Sequence, residues 1–168
     1  LEAAQARLQE WRETELPADP NPILRRLQDR PIEIVPLHPS AVFGTGMAIA
    51  ATGSWMRARE CSTDDPAMQR ALLSYASDMM FLRNALLPHN VRPGGHGVQA
   101  ASLDHAIWFH ETPDFSQWHL YATESPWAGH ARGLNRGQFF REDGTLVATV
   151  QQESLMRPMG EARAGMDV

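Results

Sequence analysis

Two hydrophobic periods divide the chain. Between Asp64 and Asn90 the apolar residues recur at helical spacing. Asp64 or Asp65 can cap such a helix, and Pro66 suits its first turn. Ala71, Leu72, Tyr75, Met79, Leu82 and Leu86 then share one side. Pro88 and Asn90 end a helix of about 20 residues, expected to be continuous. After the loop "NVRPGGHG" the period becomes two. "VQAASLDHAIWFH" reads as one long strand, followed by the turn "TPDFS" and the strands "QWHLYATES", "ARGLNRGQFFRE" and "TLVATVQQESLMR". Asp143-Gly144 marks a hairpin turn. Two earlier runs, Ile32 to Pro36 and Ser54 to Arg59, are short strands that can join the same sheet. One long helix followed by strands on short connections predicts an α+β fold, an antiparallel sheet with one face covered by the helix.

The pattern also suggests organisation. Residues 1–30 read as a linker with short helices: "AAQARLQEWRE" is amphipathic, "LPADPNP" breaks it, and "PILRRLQDR" has room for one or two more turns. Residues 31–160 form the folded domain and 161–168 a tail. "LHPSAVFGTGMAIAATG" is expected to be a loop leading into a strand. A linker implies something upstream, and with no initiator Met the chain is read as a fragment or processed piece.

Composition narrows the classes. Hydrophobic residues make up 43% and charged residues 21%, the profile of a folded soluble protein. No stretch approaches the ~20 apolar residues of a membrane span, and the start does not resemble a signal peptide. Cys61 is the single cysteine, which excludes an internal disulfide and points to a reducing, cytoplasmic setting. The net charge is −5 with no basic run, which argues against nucleic acid as a partner. All 15 basic residues are Arg. Codon usage explains that preference, while Arg also suits phosphate binding.

Candidate chemistry starts with Asp78, an acid among apolar neighbours in "SYASDMMFL". It is either an acid at the rim of the core or a working carboxylate. In the last strand, parity groups Leu146, Ala148, Val150, Gln152 and Met156 on the more apolar face, so Gln152 points inward if no bulge intervenes. In "VQAASLDHAIWFH" both faces are mixed, and parity does not choose whether Ser102 faces the helix. If it does, Asp78, Ser102 and Gln152 converge, and a carboxylate, a hydroxyl and an amide can hold a water molecule. His105 and His110, five apart, fall on opposite faces of a regular strand, so no shared metal is expected. Cys61 sits where a strand enters a turn, "GGHG" is too short for a phosphate loop, and Ser125 lacks a G-x-S-x-G elbow. No cofactor is expected.

"YASDMMFLRNALLPH", "ASLDHAIWFH" and "WHLYATESPWAGHARGLNRGQFFREDGTLVATVQQESLMR" together resemble the acyl-CoA thioesterase II family, from about Trp55 to Arg157. The resemblance implies a hotdog fold, a long helix wrapped by a curved antiparallel sheet, and hydrolysis of acyl-CoA to fatty acid and CoA. It implies catalytic roles for Asp78, Ser102 and Gln152. It also implies that this chain is the carboxy-terminal half of a tandem hotdog whose amino-terminal domain is a missing partner, with a homo-oligomer as the expected assembly. Ala106 and Ser154 depart from the family pattern, which has Ser and Gly there. Arg132, Arg136 and Arg157 are candidates by position for the CoA phosphates. Two alternatives stand beside this reading: a non-catalytic acyl-CoA-binding or assembly half, and an enoyl-CoA hydratase. The six-residue separation of Asp104 and His110 does not suit the hydratase.

Overall fold

The computed structural model describes residues 1–14, 30–40, 51–89 and 97–159. Helix α1 (Glu2–Thr14) is followed by strands β1 (Ile32–Pro36) and β2 (Ala51–Ala58), helices α2 (Pro66–Asp78) and α3 (Phe81–Leu86), and a short 3₁₀ turn (Leu87–His89). Strands β3 (Val98–Ser102), β4 (Ala106–Phe109), β5 (His119–Gly129), β6 (Arg132–Arg141) and β7 (Leu146–Pro158) complete the chain. The strands form one antiparallel sheet in the order β1-β2-β5-β6-β7-β3, with β4 also paired to β7. The curled sheet packs around the α2–α3 pair, and the α+β arrangement read from the sequence holds. The expected turns within residues 15–29, most of "NVRPGGHG" and the 161–168 tail lie outside the described residues.

The expected continuous helix is broken. Met79 leaves the α conformation and Met80 adopts a left-handed one at φ 68°. A non-glycine residue there is uncommon and stops helical hydrogen bonding. Asp78 thereby becomes the last residue of α2 instead of a mid-helix position. The buried face also differs from the stripe expected. Gln69, Leu73, Ala76 and Ser77 are buried, whereas Tyr75 is 49% exposed and Ala71 is exposed. The small side chains of Ala76 and Ser77 let the helix end approach the sheet closely. At the other end, Asp65 caps α2 by accepting from the Ala67 N–H at 3.0 Å. Gln69, buried, donates to the Thr63 carbonyl (2.7 Å) and accepts from the Phe115 N–H (2.6 Å), tying the helix start to the approach to β5.

The core between helix and sheet is built on Ile32, Met56, Leu73, Phe81, Phe115, Tyr121, Phe139 and Val150. Each such side chain, fully buried, is worth about 1.5–3 kcal/mol. Tyr121 stacks on Phe139 with ring centroids 4.0 Å apart, and Gly137, two residues before Phe139 in β6, leaves room for the Tyr121 ring. In β7 the parity expected from the sequence is interrupted. Phe139 pairs with Ala148 but Phe140 with Leu146, so Val147 is the extra residue of a bulge. Val147 is consequently buried along with Ala148, and not on the outer face as strict alternation assigns it.

A second interruption matters more. The single strand expected over residues 98–110 is two strands. Ser102 pairs with Ser154 and Ala106 with Gln151, so Leu103, Asp104 and His105 stand opposite only Gln152 and Glu153. One backbone bond and one side-chain bond bridge the interruption. The Leu103 N–H donates to the Glu153 carbonyl at 2.9 Å, and the Glu153 N–H donates to Asp104 Oδ1 at 2.7 Å.

Candidate active site

The bulge decides which side chains meet. In a regular strand Ser102 and His105 would face opposite ways. The extra residue turns both toward Gln152, at the end of α2. Gln152 points inward, as its parity requires, and is fully buried. Its Nε2 donates to Ser102 Oγ at 2.9 Å, and its Oε1 lies 2.6 Å from His105 Nδ1. The second amide hydrogen points at Ser154 Oγ, 3.3 Å away, which also accepts from Asn135 Nδ2 at 3.0 Å. Asn135 is the cross-strand partner of Gln152. Ser154, one of the two departures from the family pattern, is thus a buried part of the cluster.

Ser102 Oγ is 3.5 Å from Asp78 Oδ1. That separation is the outer limit of a direct hydrogen bond, a spacing at which a bridging water is expected. Asp78 is exposed at the end of α2, not buried among apolar neighbours. Ser102 is exposed as well. The side chains of Asp78, Ser102 and Gln152 are therefore brought together, with the first two open to one side and the third enclosed.

The residue before Asp78 closes the arrangement. Ser77 Oγ is 2.8 Å from His105 Nε2 and 2.8 Å from the Ser74 carbonyl. The Ser77 carbonyl accepts from the Tyr121 hydroxyl at 2.9 Å. Burial, and then the charge of Asp78, push the Tyr121 phenol well above its ordinary range, so it stays a donor. His105 also packs edge-on against Phe81, with centroids 5.9 Å apart.

His105, Ser77, Ser154 and Asn135 escaped the sequence reading. In the sequence His105 stands out only beside His110 as a metal ligand, and alternation places it away from Ser102. The signal that could have found it is the placement of two polar groups, Ser102 and His105, around an Asp able to cap a broken ladder. His110 instead meets Thr149 at 2.9 Å. Among the described residues no group of three or more His, Cys, Asp or Glu is placed to hold a metal ion. Cys61 is half-buried and receives the Gln69 amide at 3.3 Å, and Ser125 donates to the Leu134 carbonyl. Both have structural partners. Arg132 and Arg136 pair with Glu153 (3.1 Å) and Glu124 (3.5 Å), while Arg157 is exposed.

A model of the family described as acyl-CoA thioesterase matches residues 25–155. Human acyl-coenzyme A thioesterase 8 is 40% identical over 131 residues, 77% of this chain and 40% of the human protein. Acyl-CoA thioesterase 2 of Haemophilus influenzae is 39% identical over 129 residues, 77% of this chain and 45% of that protein. The chain thus spans less than half the length of these curated relatives. A crystal structure of an acyl-CoA thioesterase II from Mycobacterium marinum superposes with a TM-score of 0.68 at 32% identity, covering 86% of this chain and 56% of that one. A hot dog fold protein from Alicyclobacillus acidocaldarius, 21% identical with a TM-score of 0.58, shares the fold. With more than half of its residues inside the family match and a solved member superposing over 86% of it, this chain belongs to the acyl-CoA thioesterase II family.

Proposed function

We propose that this chain supplies the hydrolytic residues of an acyl-CoA thioesterase, converting acyl-CoA and water to a fatty acid and free CoA. The observation that carries the reading is the convergence of Asp78, Ser102 and Gln152 on one point. Both hydrogens of the Gln152 amide are directed at hydroxyls, one of them Ser102. Ser102 Oγ, accepting from Gln152, turns its own proton toward Asp78 and keeps a lone pair for a water proton. A water bridging Asp78 and Ser102 attacks the thioester carbonyl, Asp78 takes its proton, and collapse of the tetrahedral adduct expels the CoA thiolate, which is then protonated. Ser102 acts as a water holder and not as a nucleophile, and no acyl-enzyme forms.

The exposure of Asp78 and Ser102 supports a shared site. Water exclusion strengthens such electrostatics, and among the described residues nothing covers these two. An amino-terminal hotdog of the kind the longer relatives have room for would provide it. Between α3 and the sheet, near Met79, Met80 and Phe81, the cavity is about 20 Å³, space for about one water. The acyl chain is therefore assigned to the open side of Asp78, against the second half, and not to the space between α3 and the sheet. The single Cys61 and the lack, among the described residues, of a helix long and apolar enough to cross a membrane fit cytoplasmic action.

The test is Asp78→Asn in the full chain, with thiol release from acyl-CoA as the readout. Turnover should fall by about 10²-fold or more with the fold intact. Undiminished turnover in that folded variant would reject the assignment, and acyl-CoA binding without any turnover in the parent protein would favour a binding role.

A further inference from the structure

We infer that His105 is a positioning residue: its Nδ1–H sets the orientation of the Gln152 amide, and through it the direction in which the Ser102 proton points. The catalytic consequence rests on the thioesterase reading; the hydrogen-bond direction does not.

The argument follows the donors and acceptors. Gln152 carries one acceptor end and one donor end, and a half-turn of its amide exchanges them. The buried end of the side chain has hydroxyls on one side, Ser102 and Ser154, which can donate or accept. Hydroxyls alone cannot choose the amide orientation. The group on the remaining side is the His105 ring nitrogen, 2.6 Å from Oε1. With a proton on Nδ1, the carbonyl must face His105 and the NH₂ must face Ser102. With the proton on Nε2 instead, Nδ1 is an acceptor and the amide turns over. Ser102 then donates to Gln152, and its proton leaves Asp78.

Ser77 is placed to satisfy the Nδ1–H form. Its hydroxyl lies at equal distance from His105 Nε2 and from the Ser74 carbonyl. Donating to Nε2, it holds the neutral ring in the Nδ1–H form. In that form the chain of donors runs one way, Ser77 to His105, His105 to Gln152, Gln152 to Ser102, and Ser102 to Asp78. It begins and ends on adjacent residues of α2. Tyr121, bonded to the Ser77 carbonyl, fixes that helix end against the sheet. His105 is exposed as a residue, but both ring nitrogens are engaged, so its role is carried by its bonds and not by burial.

Two measurements test this. In the wild-type full chain, long-range proton–nitrogen NMR correlations of the neutral imidazole should show the Nδ1–H form. The Nε2–H form would overturn the inference. In kinetics, His105→Asn places an N–H where Nδ1 stands, while His105→Gln reaches only toward the Nε2 position. His105→Leu fills the space with no donor. The Asn variant should keep kcat near wild type, whereas Gln and Leu should lower it by about 10²-fold with KM little changed. Equal losses in all three variants would reduce His105 to packing against Phe81, and no loss in any would remove it from the site. Should Asp78→Asn remain active, the thioesterase roles fail while the tautomer measurement still stands or falls by itself.

Discussion

The amide oxygen of Gln152 lies 2.6 Å from Nδ1 of His105, although alternation along a regular strand turns His105 away from it. The contact exists because three residues of one strand face two of the next. Asp104 makes this possible by lending its carboxylate to the Glu153 N–H that the interrupted ladder leaves behind.

Asp104→Ala should therefore disturb the site without touching it. The Glu153 N–H loses its acceptor, and Ser102 and His105 lose their shared orientation. Thiol release is expected to fall about tenfold or more, with a stability loss of about 1–2 kcal/mol by urea unfolding. Asp104→Asn keeps an acceptor oxygen and should restore most of both.

Tyr121→Phe removes one hydroxyl and leaves the stacking on Phe139 in place. The Ser77 carbonyl at the end of α2 then has no phenol donor. A loss of about 1–2 kcal/mol is expected in denaturant unfolding, together with a smaller kcat.

Gly137→Ala tests the space beneath the same ring. A methyl group at residue 137 would stand 2.8 Å from Tyr121 Cζ, in a ring held by stacking on Phe139. Overpacking of this kind costs about 1–3 kcal/mol. Thermal unfolding should show a lowered Tm, and the paired variant with Tyr121→Leu should recover part of it.

His119 predicts a pH dependence of stability. It is buried and stacked on Phe115. Burial lowers its pKa most, and Arg141 adds to this, against the raising effects of the Gln117 carbonyl and Asp114. The unfolded chain binds a proton first as pH falls, so this group's contribution is full above the unfolded value of ~6.5 and is lost as pH drops below it toward the lowered folded value. Urea unfolding at pH 7.5 and 5.5 should show a decline in wild type that is smaller in His119→Phe. An equal decline in both would assign the acid sensitivity to other groups.

Much of the fold was legible in the chain because its causes are local. The period-two runs, the Asp65 cap before Pro66 and the Asp143-Gly144 turn each follow from the conformational preferences of a few neighbouring residues. Gln152 faced inward on parity alone, because the Val147 bulge lies on the far side of it and does not alter its alternation with Val150 and Met156. The S-L-D-H and Q-E segments carried the family. What the sequence could not settle was anything that depended on two strands being out of step. The break after Asp78 arises at a left-handed Met80, a conformation no propensity favours. The placement of Ser102 and His105 on one side arises from a mismatch of three residues against two, and such a mismatch belongs to a pair of strands and to neither one singly. The sequence by itself determined the helical and extended regions and their order, and pointed to Asp78, Ser102 and Gln152, because periodicity and parity are local. The tertiary structure alone decided that Asp78 ends its helix in the open, and that Ser102, His105 and Gln152 share hydrogen bonds there.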